Sequence, residues 1–167
     1  MNKKDIILAG GCFWGTEKYL SVIPGVVETE AGYVNGSTEK PTYEEVCYEG
    51  TGHAEAVRVV YDADRISLHR LLQLFFESID PTALNRQGPD AGSQYRTGIY
   101  FTNESDKEIA IEELNILQTK YEKKIVVEVK KIENYSAAEV YHQKYLEKNP
   151  FGYCHINRQT IEKAKDG

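Results

Sequence analysis

An apolar strand that runs straight into two glycines, a cysteine and an amphipathic helix constrains this chain more than any other feature. Asp5-Ile6-Ile7-Leu8-Ala9 reads as the strand and Phe13 to Val22 as the helix, with Gly10-Gly11-Cys12-Phe13-Trp14-Gly15 at the junction. Paired glycines let the backbone turn sharply and leave space around the sulfur. A helix start presents free N–H groups and a partial positive charge. That field favours a thiolate, so the Cys12 pKa is expected to fall below the free value of about 8.5. At pH 7 a drop of one to two units would raise the ionised fraction from about 3% to roughly 25–75%. A cysteine at a strand end is often just a small buried hydrophobe. Here the flanking glycines and Trp14 favour a nucleophile.

The rest of the chain alternates strands and helices. Val26 to Val34 reads as a strand after the Pro24-Gly25 turn and ends at Asn35-Gly36. Tyr43 to Tyr48 reads as a short helix and Ala54 to Tyr61 as a half-buried strand. Ser67 caps a helix reaching about Ser78, with Leu68, Leu71, Leu72, Phe75 and Phe76 on one stripe. Asp80 to Gln94 reads as a long functional loop, and Tyr95 to Phe101 as a strand. Ser105-Asp106-Lys107-Glu108 reads as a capping box opening a helix to about Tyr121, followed by a strand from Ile125 to Ile132. Ser136-Ala137-Ala138-Glu139 reads as a second capping box opening a helix to about Lys148, and the tail beyond Pro150 as a loop. This order predicts an α+β two-layer sandwich with a mixed sheet and a ferredoxin-like split βαβ core.

Composition narrows the function. The 167 residues suit one domain spanning 1–167. A net charge of -6 argues against nucleic-acid binding, which needs a basic face. The apolar runs are too short to span a membrane, and with no charged n-region followed by an apolar h-region at the start, secretion is not expected. Three cysteines do not make a disulfide scaffold, so a reducing, cytoplasmic setting is expected.

Further motifs carry chemistry. Thr51-Gly52-His53-Ala54-Glu55-Ala56-Val57 contains His-x-Glu, but the Pro-Cys-x-x-Cys that a zinc deaminase needs is missing. No Cys-x-x-Cys or His-x-x-x-His pairing supports zinc either, so no metal is expected. Glu55 lies among apolar strand residues; it is either solvent-facing or buried for a purpose. The loop from Gln87 to Arg96 is rich in glycine and hydrogen-bonding side chains, with Asp90 either functional or bonding its own turn. Cys154, after Asn149-Pro150-Phe151-Gly152-Tyr153, is a second thiol on a tail, a candidate resolving residue. Cys47 reads as structural, and His69 and His142 as helix-surface residues without a role.

Taken in order, these pieces resemble the A-type peptide methionine sulfoxide reductases over nearly the whole chain. The resemblance rests on Gly11-Cys12-Phe13-Trp14-Gly15, Gly32-Tyr33, Pro41-Thr42-Tyr43, Val46-Cys47, Gly52-His53-Ala54-Glu55-Ala56-Val57, Asp80-Pro81-Thr82, Asp90 with Gly92, Gln94-Tyr95-Arg96 and Asn149-Pro150-Phe151-Gly152-Tyr153-Cys154. It implies reduction of the S epimer of methionine sulfoxide, free or in oxidised proteins, with thioredoxin as the external dithiol, no bound cofactor and a monomeric enzyme. By motif, Cys12 is implied as nucleophile and Cys154 as resolving cysteine. Phe13 and Trp14 are implied as the pocket for the substrate methyl, and Tyr43, Glu55, Asp90 and Tyr95 as the polar shell around the sulfoxide oxygen. Two departures stand out. The tail from His155 to Gly167 has no further recycling cysteine, and Phe76 and Ile79 stand where Trp and His are common in the family.

The chemistry explains the pairing of thiol and acid. A sulfoxide sulfur is electrophilic, but its oxygen needs a proton. An ordinary Glu is only about 0.2% protonated at pH 7, so Glu55 is expected to be kept neutral by burial. Two rivals remain open on the residues alone. One is a cysteine hydrolase using Cys12 with His53 or His155 and Asp90. The other is a non-enzymatic module whose aromatic pocket binds methionine-like side chains.

Overall fold

The computed structural model describes residues 1–167. Ile6 to Ala9, at 0–3% exposed, are buried on both faces because their strand, β1 (Lys3–Gly10), lies inside the sheet. β1 pairs antiparallel with β3 (Ala54–Asp62) on one side and β6 (Thr97–Phe101) on the other. β2 (Val26–Val34) continues from β3, and β8 (Tyr135–Ala137) continues from β2, both antiparallel. β7 (Glu128–Lys131) adds to β6 in parallel, so the sheet is mixed, in the order β7-β6-β1-β3-β2-β8. With the helices packed on it, this is an α+β fold.

Alternation along β1 sorts its side chains between two clusters. Ile6 and Leu8 join the main core with Leu20 of α1 (Phe13–Ser21), Leu71, Leu72 and Phe75 of α3 (Leu68–Phe76), Ala110 of α4 (Glu104–Gln118) and Ala164 of α6 (Arg158–Ala164). Ile7 and Ala9 join Val34, Ala54, Ala56 and Tyr100 on the opposite face. The α3 stripe is the predicted one. Each of its fully buried Leu side chains contributes about 1.5–3 kcal/mol by leaving water, and Ser67 caps the helix by accepting from the Arg70 N–H at 3.1 Å.

Several expectations are corrected. Ser136 does not cap a helix: it pairs with Tyr33 in β8. Glu139 accepts from the Tyr33 hydroxyl and from the Tyr43 N–H at the start of a different, distant helix, so it does not complete a capping box of its own. The predicted helix to Lys148 is reduced to a 3-10 turn at Val140–His142 and one turn, α5 (Tyr145–Lys148). The tail is not all loop, since α6 forms there with Asn157 as its cap. Asn103, not Ser105, caps α4. The loop from Asp80 to Gln94 contains a small hairpin, β4 (Arg86–Gln87) with β5 (Asp90–Ala91). Tyr95 closes a 3-10 turn, Ser93–Tyr95, and the strand begins at Thr97.

The chain from β8 to α6 crosses the start of α1. Gln143 fixes it to β2 by exchanging two hydrogen bonds with the Ala31 backbone, each 2.8 Å. Lys144, in the left-handed region at φ 49°, follows, its N–H donating to buried Glu17 at 2.7 Å. No helix is long and apolar enough to cross a membrane.

Candidate active site

Cys12 is the N-cap residue of α1, placed there by Gly11 at φ +93°, a conformation that favours glycine. A side chain at Gly11 would also collide with Gln87 Cβ, 2.8 Å from where its own Cβ would sit. The backbone N–H groups of Trp14 and Gly15 reach the Cys12 sulfur, as the helix-start argument requires. They do not win. Burial is the largest influence and pushes the thiol pKa up, with the charges of Glu55 and Asp90 adding to it. The expected fall below the free-thiol value is therefore overturned: at 9% exposure, lost hydration outweighs two amide dipoles.

Glu55 is buried in β3, opposite Tyr33 of β2. Burial raises its carboxyl to about 8, against a small opposing pull from the Phe13 N–H, which donates to Oε1 at 3.2 Å. Oε2 is buried with no partner. The expectation of a Glu kept neutral by burial is met. The resting pair is a thiol beside a carboxylic acid.

The other predicted residues surround this pair unevenly. Tyr43, at the start of α2 (Tyr43–Tyr48), and Tyr95 are half-buried, and burial raises both hydroxyls, with the charge of Glu55 second in each case. Tyr95 also senses Cys47, Cys12 and Asp90, so the site converges on it. Asp90 Oδ2 accepts from the Tyr153 hydroxyl at 2.7 Å, linking the hairpin to the residue before Cys154. Cys154 is half-buried near α1, its Sγ 3.1 Å from the point a Cβ on Gly15 would occupy. All three cysteines are free.

Phe13 is buried against Tyr33 at 5.7 Å and Tyr43 at 6.4 Å between ring centroids. Trp14 stacks on Tyr145, with centroids 3.8 Å apart and planes 7° from parallel. Its indole N–H donates to His142 Nδ1 at 3.0 Å. His142 is not the surface residue expected. It is 2% exposed and lies 4.5 Å from Tyr43 and 5.1 Å from Phe13, at the centre of the aromatic group. Its periodic position in a supposed helix concealed this; the neighbouring run Tyr141-His142 beside Tyr145 was the available signal.

The grooves of about 610 Å³ between α3 and α4 and about 380 Å³ beside Trp14 contain neither Cys12 nor Glu55. Neither histidine proposed for a hydrolase bonds to Cys12. His53 is engaged with Thr38 at 3.2 Å, and His155 Nε2 donates to the Gly10 carbonyl at 2.8 Å. No group of three or more His, Cys, Asp or Glu side chains is placed to hold a metal ion.

The model of one protein family, peptide methionine sulfoxide reductase, matches residues 4–166. The chain belongs to that family. It is similar to the peptide methionine sulfoxide reductase MsrA of Lachnoclostridium phytofermentans, 54% identical over 163 residues and 98% of both chains. It is 61% identical to MsrA of Clostridium perfringens strain 13 over 153 residues, 92% of this chain and 98% of that one. Among solved structures, the reduced form of Mxr1 from Saccharomyces cerevisiae superposes with a TM-score of 0.86 at 39% identity, covering 93% of this chain and 92% of that one. Mxr1 in complex with Trx2 matches with a TM-score of 0.60 at 28% identity, covering 86% and 85%.

Proposed function

We propose that this chain reduces the S epimer of methionine sulfoxide, free or in oxidised proteins, to methionine. One observation carries the reading: Glu55 is a buried carboxylic acid with one oxygen held by Phe13 and the other unpartnered, beside a thiol at a helix start. The family assignment supports the substrate.

In the first step Cys12 attacks the sulfoxide sulfur while Glu55 lends its proton to the oxygen. The oxygen passes to Cys12, methionine leaves, and the thiol proton restores the carboxyl. The product is a Cys12 sulfenic acid. Phe13 and Trp14 receive the methyl, the Tyr43 and Tyr95 hydroxyls donate to the oxygen, and Asp90 belongs to the polar shell around it. A protonated resting thiol suits this scheme, because a thiolate beside an ionised Glu55 would be doubly unfavourable. Cys154 then forms a disulfide with Cys12, which an external dithiol such as thioredoxin reduces; the complex of Mxr1 with Trx2 supports that partner. No bound cofactor is required, and free thiols suit the cytoplasm. The order β6-β1-β3-β2, with α1 and α3 as crossovers, supports a ferredoxin-like reading of the core.

The test is turnover of separated S and R epimers of a methionine sulfoxide peptide with dithiothreitol, beside Cys12→Ser. Loss of the S epimer alone, abolished in the variant, is the expected result. Consumption of both epimers, or activity without Cys12, would overturn it.

A further inference from the structure

The tail brings a histidine as well as a thiol to the start of α1, and one nitrogen of that histidine is unused. His155 Nε2 donates to the Gly10 carbonyl at 2.8 Å, which fixes the neutral tautomer and leaves the lone pair on Nδ1. Nδ1 is buried without a hydrogen-bond partner. Such an atom is costly unless it has another use. Gly15 shows what it faces. The point a Cβ would occupy there lies 2.9 Å from His155 Nδ1 and 3.1 Å from Cys154 Sγ. A basic nitrogen and a thiol therefore flank one spot on the first turn of the helix that begins at Cys12.

The thiol needs help at that place. It donates to the Ile156 carbonyl at 3.3 Å, a weak sulfur bond that rotation about Cβ–Sγ releases. Burial keeps the thiol protonated and the ring neutral; the charges acting on the pair are Lys18 on Cys154 and Asp90 on His155. A thiol attacks slowly until it is ionised.

We propose that His155 is the base that ionises Cys154 for disulfide formation with Cys12. The inference rests on the reductase reading above. The Cys154 proton passes to Nδ1, and the thiolate attacks the sulfenic sulfur of Cys12. The S–S bond forms as the S–O bond breaks, and the departing hydroxide takes the proton from Nδ1 to leave as water. One sulfur is oxidised and the other reduced by one unit, so no outside oxidant or reductant enters.

Single turnover without reductant separates the steps. Methionine release reports the first, and disappearance of dimedone-reactive sulfenic acid reports the second. His155→Gly is expected to slow the second step about 10²-fold, with recovery on adding free imidazole, which fits the space the ring leaves. His155→Gln keeps a donor for the Gly10 carbonyl but has no base, and is expected to be slow without rescue. Unchanged resolution in both variants overturns the proposal, as does a slow His155→Gly that imidazole does not restore. Loss of methionine release in both variants also overturns it, by making the ring structural. Absence of methionine release from the unsubstituted protein refutes the reductase reading instead.

Discussion

Phe13 donates its backbone N–H to Glu55 Oε1 at 3.2 Å, tying the residue after the thiol to a carboxyl 42 positions away. The bond orients the carboxyl and leaves Oε2 as the end that can carry a proton. Glu55→Gln keeps the acceptor and the shape but has no acid proton. Methionine formation in a single turnover at pH 7 should fall about 10²–10⁴-fold. Rates within twofold of the parent would remove Glu55 from the chemistry.

The same carboxyl sets a pH dependence of stability. Burial raises Glu55 from 4.5 to about 8 in the folded chain. Between those values the folded state keeps a proton that the unfolded state has lost, so stability falls as pH rises. The slope from this group is roughly 1.4 kcal/mol per pH unit in mid-window. Glu55→Gln should abolish that slope, small in effect at pH 5 and growing toward pH 8. Urea midpoints across this range provide the check, and parallel profiles would mean that Glu55 is ionised throughout.

Cys154→Ser should release one equivalent of methionine per protein and then stall with thioredoxin as reductant. Steady-state assays beside a stoichiometric burst decide it. Normal cycling with thioredoxin would make the tail thiol dispensable.

Gly15→Ala should uncouple the two halves of the cycle. Its methyl would press on His155 Nδ1 and Cys154 Sγ, at 2.9 and 3.1 Å, from a helix that otherwise accepts alanine well. Sulfenic acid should accumulate, read by dimedone labelling. Prompt disulfide formation would show that the tail can shift aside at little cost.

His142→Phe retains a ring among Phe13, Tyr43 and Tyr141 but leaves the Trp14 indole N–H without its acceptor. A lost partner of this kind costs about 1–3 kcal/mol. Denaturation should register that loss, and the KM for sulfoxide should rise as Trp14 loosens. A parent-like KM would separate Trp14 from the substrate methyl.

Local rules made much of this legible. The strand, the paired glycines and the helix around Cys12 are signalled by neighbours in sequence, and the α3 stripe by its spacing. What escaped was long-range. Ser136 and Glu139 have the spacing of a capping box, yet Ser136 pairs with Tyr33 and Glu139 binds Tyr33 and Tyr43 across about a hundred residues. Tertiary partners outbid the local motif. The Cys12 thiol departs from expectation for a related reason: helix direction is visible in a sequence, whereas the depth of burial that outweighs it is not.

The segment carrying Cys154 is fastened on both sides, by the Gln143 clamp to Ala31 and by α6, whose Ala164 is 1% exposed in the core. A thiol on such a doubly anchored span meets α1 at an effective concentration fixed by geometry, about millimolar or above for short tethers. In the proposed cycle, competing small thiols would have to exceed that figure to reach a Cys12 sulfenic acid first. The span would thereby set the order of events: the internal partner would react before any outside one, and the external reductant would encounter a finished disulfide.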